Sequence, residues 1–113
     1  MLYMVREGFA ERATRFVEQG GQFVATYWSG IVNESDLCHL GGFPGPLRPL
    51  LGIWSEEIDC LADGESNQVQ GLAGNKAGLQ GPYQAIHLCD LIHLEGATAS
   101  RAIEMTSMLT VRR

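Results

Sequence analysis

The sequence predicts an α/β fold built on a mostly parallel sheet, and two neighbouring segments carry this prediction. Residues 8–19 have the apolar spacing of an amphipathic helix, and Gly20-Gly21 supplies its terminator. Residues 22–28 (QFVATYW) are rich in β-branched and aromatic side chains and nearly continuous in apolar character. Such a run is typical of a strand covered on both faces, as in a parallel sheet. A helix that leads into such a strand is half of a βαβ unit.

The strand that should precede this helix is absent from the sequence. The chain opens with Leu2-Tyr3-Met4-Val5 before Arg6, a pattern that indicates the tail of a connection from an upstream strand. We therefore expect the sheet to be incomplete at the N-terminus, with the N-terminal boundary falling inside a domain.

The middle of the chain is rich in turn residues. Residues 29–49 contain Gly41-Gly42 and Pro44-Gly45-Pro46, and apolar anchors such as Phe43 indicate a shaped surface loop rather than a flexible linker. Pro46 is positioned to start a short helix that ends at Leu51. Further strands are predicted at residues 53–61, 68–72 and 87–94.

The composition of the chain excludes several classes of function. The 113 residues, 45% hydrophobic and 19% charged, are enough for one globular domain. The net charge of −5 and the scattered basic residues argue against nucleic-acid and anionic membrane surfaces. No apolar run approaches the ~20 residues of a membrane span, and the N-terminus lacks the order of a secretory signal. We expect a cytoplasmic protein.

Groups with catalytic or metal-binding potential are few. Glu56 and Glu57 are adjacent on a predicted strand and point to opposite faces, so they do not form an acid/base pair. The histidines and cysteines lack the spacing of a zinc site or a disulfide framework: His39, His87, His93, Cys38, Cys60 and Cys89. Trp28-Ser29-Gly30 does not match a nucleophile elbow. We therefore expect no catalytic residue, no metal and no cofactor in this chain.

Several long motifs resemble one known family. They are GGQFVATYWSGIVNE at 20–34, DLC at 36–38, LGGFPGPLR at 40–48, LGIW at 51–54, EEID at 56–59 and LCDLIHLEGA at 88–97. Together they closely resemble the trimerisation domain of family 42 glycoside hydrolases, the bacterial β-galactosidases. The resemblance covers residues 1–97, which we interpret as a partial trimerisation domain.

The resemblance implies an open, flavodoxin- or class I amidotransferase-like sheet that packs subunits into a homotrimer and helps to wall the neighbouring active site. In that family a pair of glutamates on a separate (β/α)₈ barrel catalyses a retaining hydrolysis of terminal β-D-galactosides. Barrel sequence is absent here, so no catalytic residue carries over. The resemblance thus implies a non-catalytic part of an enzyme, inactive alone, whose partners are other copies and a (β/α)₈ domain.

Four residues are candidates for contacts at a subunit interface or active-site wall: Trp28, Phe43, Arg48 and Trp54. Aromatic residues and arginine are the usual anchors of interfaces, although core packing explains the two tryptophans equally well. Two other functions stay open. One is a stand-alone binding module of the same superfamily that holds a ligand with its Gly/Pro loop, and the other is a divergent hydrolase that uses Cys60 or Cys89.

The last residues, 98–113, depart from the family, whose members continue with a stretch like A-T-Y-G-x-D-F-Y-A-G-x-P. Back-translation of this tail in a shifted frame permits A-x-Y-R-N-D-F-Y-A, and the codons of Met105 and Thr106 force its Asp. We hypothesise that the reading frame slips just after Ala97.

Overall fold

The computed structural model describes residues 2–74, 78 and 80–99, together with the backbone of residues 101–104. The chain divides into two compact units, Met1–Glu56 with Ile92–Ala97 and Glu57–Leu91 with Thr98–Arg113. The described elements are α1 (Phe9–Glu18), a 3₁₀ turn (Gly45–Leu47), α2 (Arg48–Leu51), β1 (Ile53–Cys60), β2 (Asn67–Gly71), β3 (Tyr83–Ala85), β4 (Leu88–Leu94) and β5 (Arg101–Glu104). None of the described helices has the length and apolar character needed to cross a membrane.

Helix α1 of the first unit confirms the amphipathic helix predicted at residues 8–19. It ends in a Schellman motif, because the Gly21 amide donates to the Phe16 carbonyl and the Gly20 amide donates to the Val17 carbonyl. Gly20 has a φ of 93°, a conformation that glycine adopts without steric cost. Ala13, on the apolar face, is buried.

The opening segment forms a short parallel pairing with residues 30–32. Met4 and Val32 make a parallel bridge, the Val5 amide donates to the Val32 carbonyl at 2.9 Å, and the Ile31 amide donates to the Tyr3 carbonyl at 2.9 Å. Val5, Ile31 and Val32 are buried and make up much of the apolar core of this unit.

The strand predicted at residues 22–28 is wrong for this chain, because those residues form no regular secondary structure. Residues 22–25 make no backbone hydrogen bond with any described residue outside the segment. Burial alternates along it: Phe23 packs against Phe9, with ring centroids 6.4 Å apart, whereas Val24 is 84% exposed. The composition of the segment does favour a strand, but among the described residues no other strand lies beside it to form backbone hydrogen bonds.

The Gly/Pro-rich segment is ordered by two short helical elements, which confirms the helix predicted at 46–51. The 3₁₀ turn runs directly into α2, and Leu47, the last residue of the turn, is completely buried. Gly52 ends α2 with a φ of 63°, and its carbonyl accepts hydrogen bonds from the amides of Glu95 and Ala97. The end of α2 is therefore attached to the residues that follow β4.

Strands β1 and β4 pair and confirm, within one residue at each end, the predictions at 53–61 and 87–94. The Leu61 amide donates to the His87 carbonyl, and the Glu95 amide donates to the Gly52 carbonyl. Because one end of β1 meets the start of β4 and its other end meets the residues after β4, the two strands run in opposite directions.

The second unit contains a three-stranded antiparallel sheet in the order β3-β2-β5. Strand β2 confirms the prediction at 68–72, and Val69 lies opposite Tyr83 on one side and Ile103 on the other. Fully buried Asn67 donates its side-chain amide to Cys89 Sγ at 3.3 Å.

The α/β class is therefore as predicted, but the sense of strand pairing differs from the prediction. Both described sheets pair antiparallel, and the described parallel pairing is confined to residues 2–5 with 30–32. An open, mostly parallel sheet is not present among the described residues. Strand composition reports burial and propensity, whereas the direction of pairing depends on connections that composition does not encode.

A tryptophan-centred cluster as the candidate functional site

The candidate site of the first unit is built around Trp54. Its members, called the Trp54 cluster below, come from α2, β1, β4 and the turn after β4: Arg48, Trp54, Glu56, His93 and Glu95. Trp54 and Glu56 are two residues apart along β1, which puts both side chains on one face of the strand. The pairing of β1 with β4 brings His93 to the same place.

Two cationic or ionisable groups lie against the indole ring. The His93 imidazole is stacked on it, with centroids 4.7 Å apart and an interplanar angle of 23°. The Arg48 guanidinium carbon lies 5.6 Å from the ring centroid, within the range of a cation–π interaction. The tryptophan therefore has ring contacts within this chain, which hold it in one orientation.

Charged partners fix both of these groups. Arg48 binds Glu95 with a fork geometry, Nη2 to Oε1 at 2.7 Å and Nε to Oε2 at 3.3 Å, and its Nη1 donates to the Gly41 carbonyl. His93 Nε2 lies 2.7 Å from Glu56 Oε2. Exposed ion pairs each contribute at most about 1 kcal/mol, so their main effect here is to set geometry.

A glycine lets the loop backbone approach the indole. A β-carbon added at Gly42 would overlap Trp54 Nε1, and Gly42 has a φ of 94°, which side-chain-bearing residues rarely adopt. The Trp54 Nε1 atom is buried and has no hydrogen-bond partner among the described residues. The close approach of residues 41–42 thus buries the indole edge, and only glycine fits there.

The structure brings two of the four candidate residues into contact, Arg48 and Trp54. Phe43 is close to them, because its backbone bridges to Ser55, the residue after Trp54. Trp28 makes its ring contact elsewhere: it stacks on Tyr3 with centroids 5.9 Å apart and is 37% exposed. Neither tryptophan is a fully buried core residue.

Three members of the cluster were not predicted as site residues: Glu56 and His93, which were considered only as catalytic or metal-binding groups, and Glu95. A usable signal was present, since Trp54 and Glu56 are spaced i, i+2 on one predicted strand and His93 and Glu95 have the same spacing at the end of another. Joining the two pairs required knowing that these strands are neighbours, which the spacing does not show.

The Glu56–His93 pair resembles the base and orienting groups of a hydrolase, but the Trp54 ring covers one face of the imidazole. Cys89 is buried against Asn67 rather than against a histidine. Across the described residues, no cluster of three or more potential metal ligands was found.

A separate cavity of about 520 Å³ opens beside the start of α1. Its wall includes His39, Leu40 and Pro46 from the Gly/Pro-rich loop, and Glu7 and Glu11 from the α1 side. Buried His39 Nε2 has no hydrogen-bond partner among the described residues. The cavity is open and its rim is acidic.

Comparison with known proteins defines the class. The sequence profile of the family described as β-galactosidase trimerisation domain matches residues 1–108, and the chain belongs to this family. It is 63% identical over 97 residues to β-galactosidase BglY of Alicyclobacillus acidocaldarius and 59% identical over 97 residues to β-galactosidase Pbg of Clostridium perfringens. Each match covers 86% of this chain and 14% of the relative.

Solved structures agree with the sequence matches. The β-galactosidase of Rahnella sp. R3 superposes with a TM-score of 0.87 at 66% identity, covering 91% of this chain and 15% of that one. The β-galactosidase of Bacillus circulans sp. alkalophilus gives a TM-score of 0.83 at 52% identity, covering 90% of this chain and 15% of that one. This chain thus spans about one-seventh of the length of these β-galactosidases.

Proposed function

We infer that this chain is the non-catalytic assembly part of a β-galactosidase and that it joins three copies through its own surface. The observation that carries the proposal is the family match over residues 1–108. The structure supports it, because large apolar side chains such as Val24, Leu37 and Leu40 are exposed on the first unit. Exposed apolar surface of this kind is typical of protein contact sites.

The Trp54 cluster fits a contact role better than a sugar-binding role. A sugar platform needs an open aromatic face, but the Trp54 ring already stacks on His93 and lies near Arg48. A ring held in this way is preorganised, which lowers the entropy cost of association. We assign Phe43, Arg48 and Trp54 to this contact surface, with Trp28 as a separate contact residue.

The remaining predictions form part of the same proposal. A (β/α)₈ domain that hydrolyses terminal β-D-galactosides is the proposed partner, since the relatives named β-galactosidase are about seven times longer than their match to this chain. The three unpaired cysteines favour a cytoplasmic location.

Light scattering on a sizing column tests the assembly role, combined with hydrolysis of a nitrophenyl β-galactoside. We expect a folded species of about three times the 12.3 kDa chain mass and no hydrolysis above the buffer rate. A folded monomer at every concentration contradicts the assembly role. Measurable hydrolysis by the pure chain contradicts the non-catalytic role.

One observation favours the second candidate, a binding module that uses the Gly/Pro-rich loop. Residues of that loop line the cavity of about 520 Å³, and His39 Nε2 has no hydrogen-bond partner in the part of the chain that the structure describes. D-galactose is the natural probe. If the module binds it, millimolar galactose raises the melting temperature and a His39→Phe variant abolishes the shift; an unchanged melting temperature favours the assembly role alone.

The domain boundary at Ala97 is also a proposal. It is supported by the matches to four of the curated relatives, which extend over 97 to 99 of the 113 residues, whereas the family profile continues to residue 108. Residues 105–113 lie outside the described residues. The nucleotide sequence tests the frame shift: a shifted frame after codon 97 should encode the D-F-Y-A motif, and a frame that does not encode it contradicts the proposal.

A further inference from the structure

A loop of the first unit presents apolar side chains to solvent. Leu40 is 98% exposed and Leu37 is 65% exposed. The loop is nevertheless fixed by backbone contacts. Val32 and Cys38 form an antiparallel bridge across it. The Asn33 side chain accepts hydrogen bonds from the amides of Ser35 and Leu37. We call residues 33–40 the knob loop. A rigid loop with unburied leucines is suited to insertion into a partner.

A second surface of the same unit is concave. A cavity of about 400 Å³ lies between α1 and the 3₁₀–α2 segment, and Ala10, Pro46, Pro49 and Leu50 give it an apolar lining. Arg15 lies at its wall. We call this cavity the socket. It has room for two leucine side chains, because a cavity of about 150 Å³ already holds a benzene molecule.

The two surfaces are what a cyclic trimer requires. A three-fold ring is heterologous: each copy must contribute two different patches, and one patch of each copy binds the other patch of the next. The knob loop carries Glu34 and Asp36, and the socket wall carries one cation, Arg15, next to one carboxylate, Glu11. A knob carboxylate that faces Arg15 and avoids Glu11 favours one orientation of docking.

We propose that the knob loop of one copy, with Leu40 as its anchor, docks in the socket of the next copy. This inference rests on the proposed assembly role and specifies its partner, a second copy of this chain. The contact is head-to-tail, so a copy with a defective knob retains a functional socket, and the reverse also holds.

Three variants of the full chain test the inference by native mass spectrometry and light scattering. Leu40→Glu disables the knob, and because Leu40 is almost fully exposed the fold is expected to survive. Thr14→Trp combined with Arg15→Glu fills and recharges the socket. Ile86→Glu, at an exposed apolar position in the second unit, is the matched control. Circular dichroism checks that each variant is folded.

We expect the knob and socket variants to be monomeric at concentrations where the wild type is trimeric, a loss of at least about thirtyfold in affinity. The control is expected to remain trimeric. Mixing the knob and socket variants should give a one-to-one dimer and nothing larger, because that pair holds one intact interface.

Several results would overturn the inference. A Leu40→Glu chain that is still trimeric, or a mixture of the two variants that forms no dimer, refutes the knob-in-socket contact and leaves the proposed assembly role standing. A wild-type chain that is monomeric throughout refutes both.

Discussion

Residues 22–28 and the Trp54 cluster look alike in sequence but differ in the folded chain. Both are rich in aromatic residues, and both lie in motifs that match the same family. In the cluster, every charged group has a partner of opposite charge or a ring contact. In residues 22–25, the backbone makes no hydrogen bond with any described residue outside the segment, and Val24 is 84% exposed.

The difference shows that aromatic and β-branched residues indicate a segment that becomes buried. They do not show which part of the molecule, or which partner, buries it. The cluster is covered from inside the chain, by β4 and by residues 41–42. The segment at 22–28 is covered on one side by α1 through Phe9 and is open on the other. We therefore expect substitutions in the cluster to affect the stability of this chain, and substitutions on the outer side of the segment to affect it little.

The largest expected effect is at the contact between Gly42 and Trp54. Gly42→Ala should destabilise the chain by about 3–4 kcal/mol, because it adds both a backbone strain and an overlap with the indole. Gly20→Ala is the matched control: its φ of 93° is nearly the same, but open space surrounds it, so a cost of about 1–2 kcal/mol is expected. Urea unfolding measures both, and equal costs contradict the packing role of Gly42.

The two sides of residues 22–28 provide the next comparison. Phe23→Ala should cost about 1–2 kcal/mol, since its ring is partly buried against Phe9. Val24→Thr keeps the branched shape and should change stability by less than about 0.5 kcal/mol, because Val24 is exposed. A large cost for Val24→Thr in thermal unfolding of the isolated chain would contradict this account, because it would require Val24 to make a stabilising contact within the chain.

A smaller effect is expected for the Arg48–Glu95 pair. Arg48→Lys removes the fork geometry and should cost up to about 1 kcal/mol, less at high salt, because both side chains are partly exposed. A double-mutant cycle with Glu95→Gln separates the pair from the stacking on Trp54. A coupling energy near zero would mean that Arg48 acts through the indole alone.

The smallest effect concerns Asp90, whose pKa is raised by burial in β4. A carboxyl whose folded pKa lies above its unfolded value stabilises the fold fully below the unfolded pKa, and this contribution is lost as the pH rises through the folded pKa. At neutral pH the ionised group is therefore a small penalty. Asp90→Asn should stabilise the chain at pH 7 by less than about 1 kcal/mol, with the gain shrinking towards pH 4. A gain that grows on acidification contradicts this sign.

Local elements were predictable because their signals are local. Gly20-Gly21 after an apolar stripe gave the end of α1, and Pro46 in a Gly/Pro-rich run gave the short helix. Strand β1 was predicted to within one residue at its end. Each of these features depends on neighbours a few residues away, and propensity describes such neighbours well.

Pairing and clustering were only partly predictable. Arg48 and Trp54 were identified as interface anchors, but His93 and Glu95 join them only because β4 returns antiparallel to β1. The prediction of a strand at 22–28 was wrong for the same reason. Its composition is typical of a strand, but a strand also needs a neighbouring strand to pair with, and composition does not identify that neighbour.

The most direct test of the central claim asks whether the surface of this chain is sufficient for assembly. The 113-residue chain is fused to a monomeric carrier protein, and the mass of the fusion is measured by sedimentation velocity over a hundredfold range of concentration. We predict a species of three times the fusion mass that dissociates only on dilution. A fusion that is folded by circular dichroism and monomeric over the whole range would contradict the account.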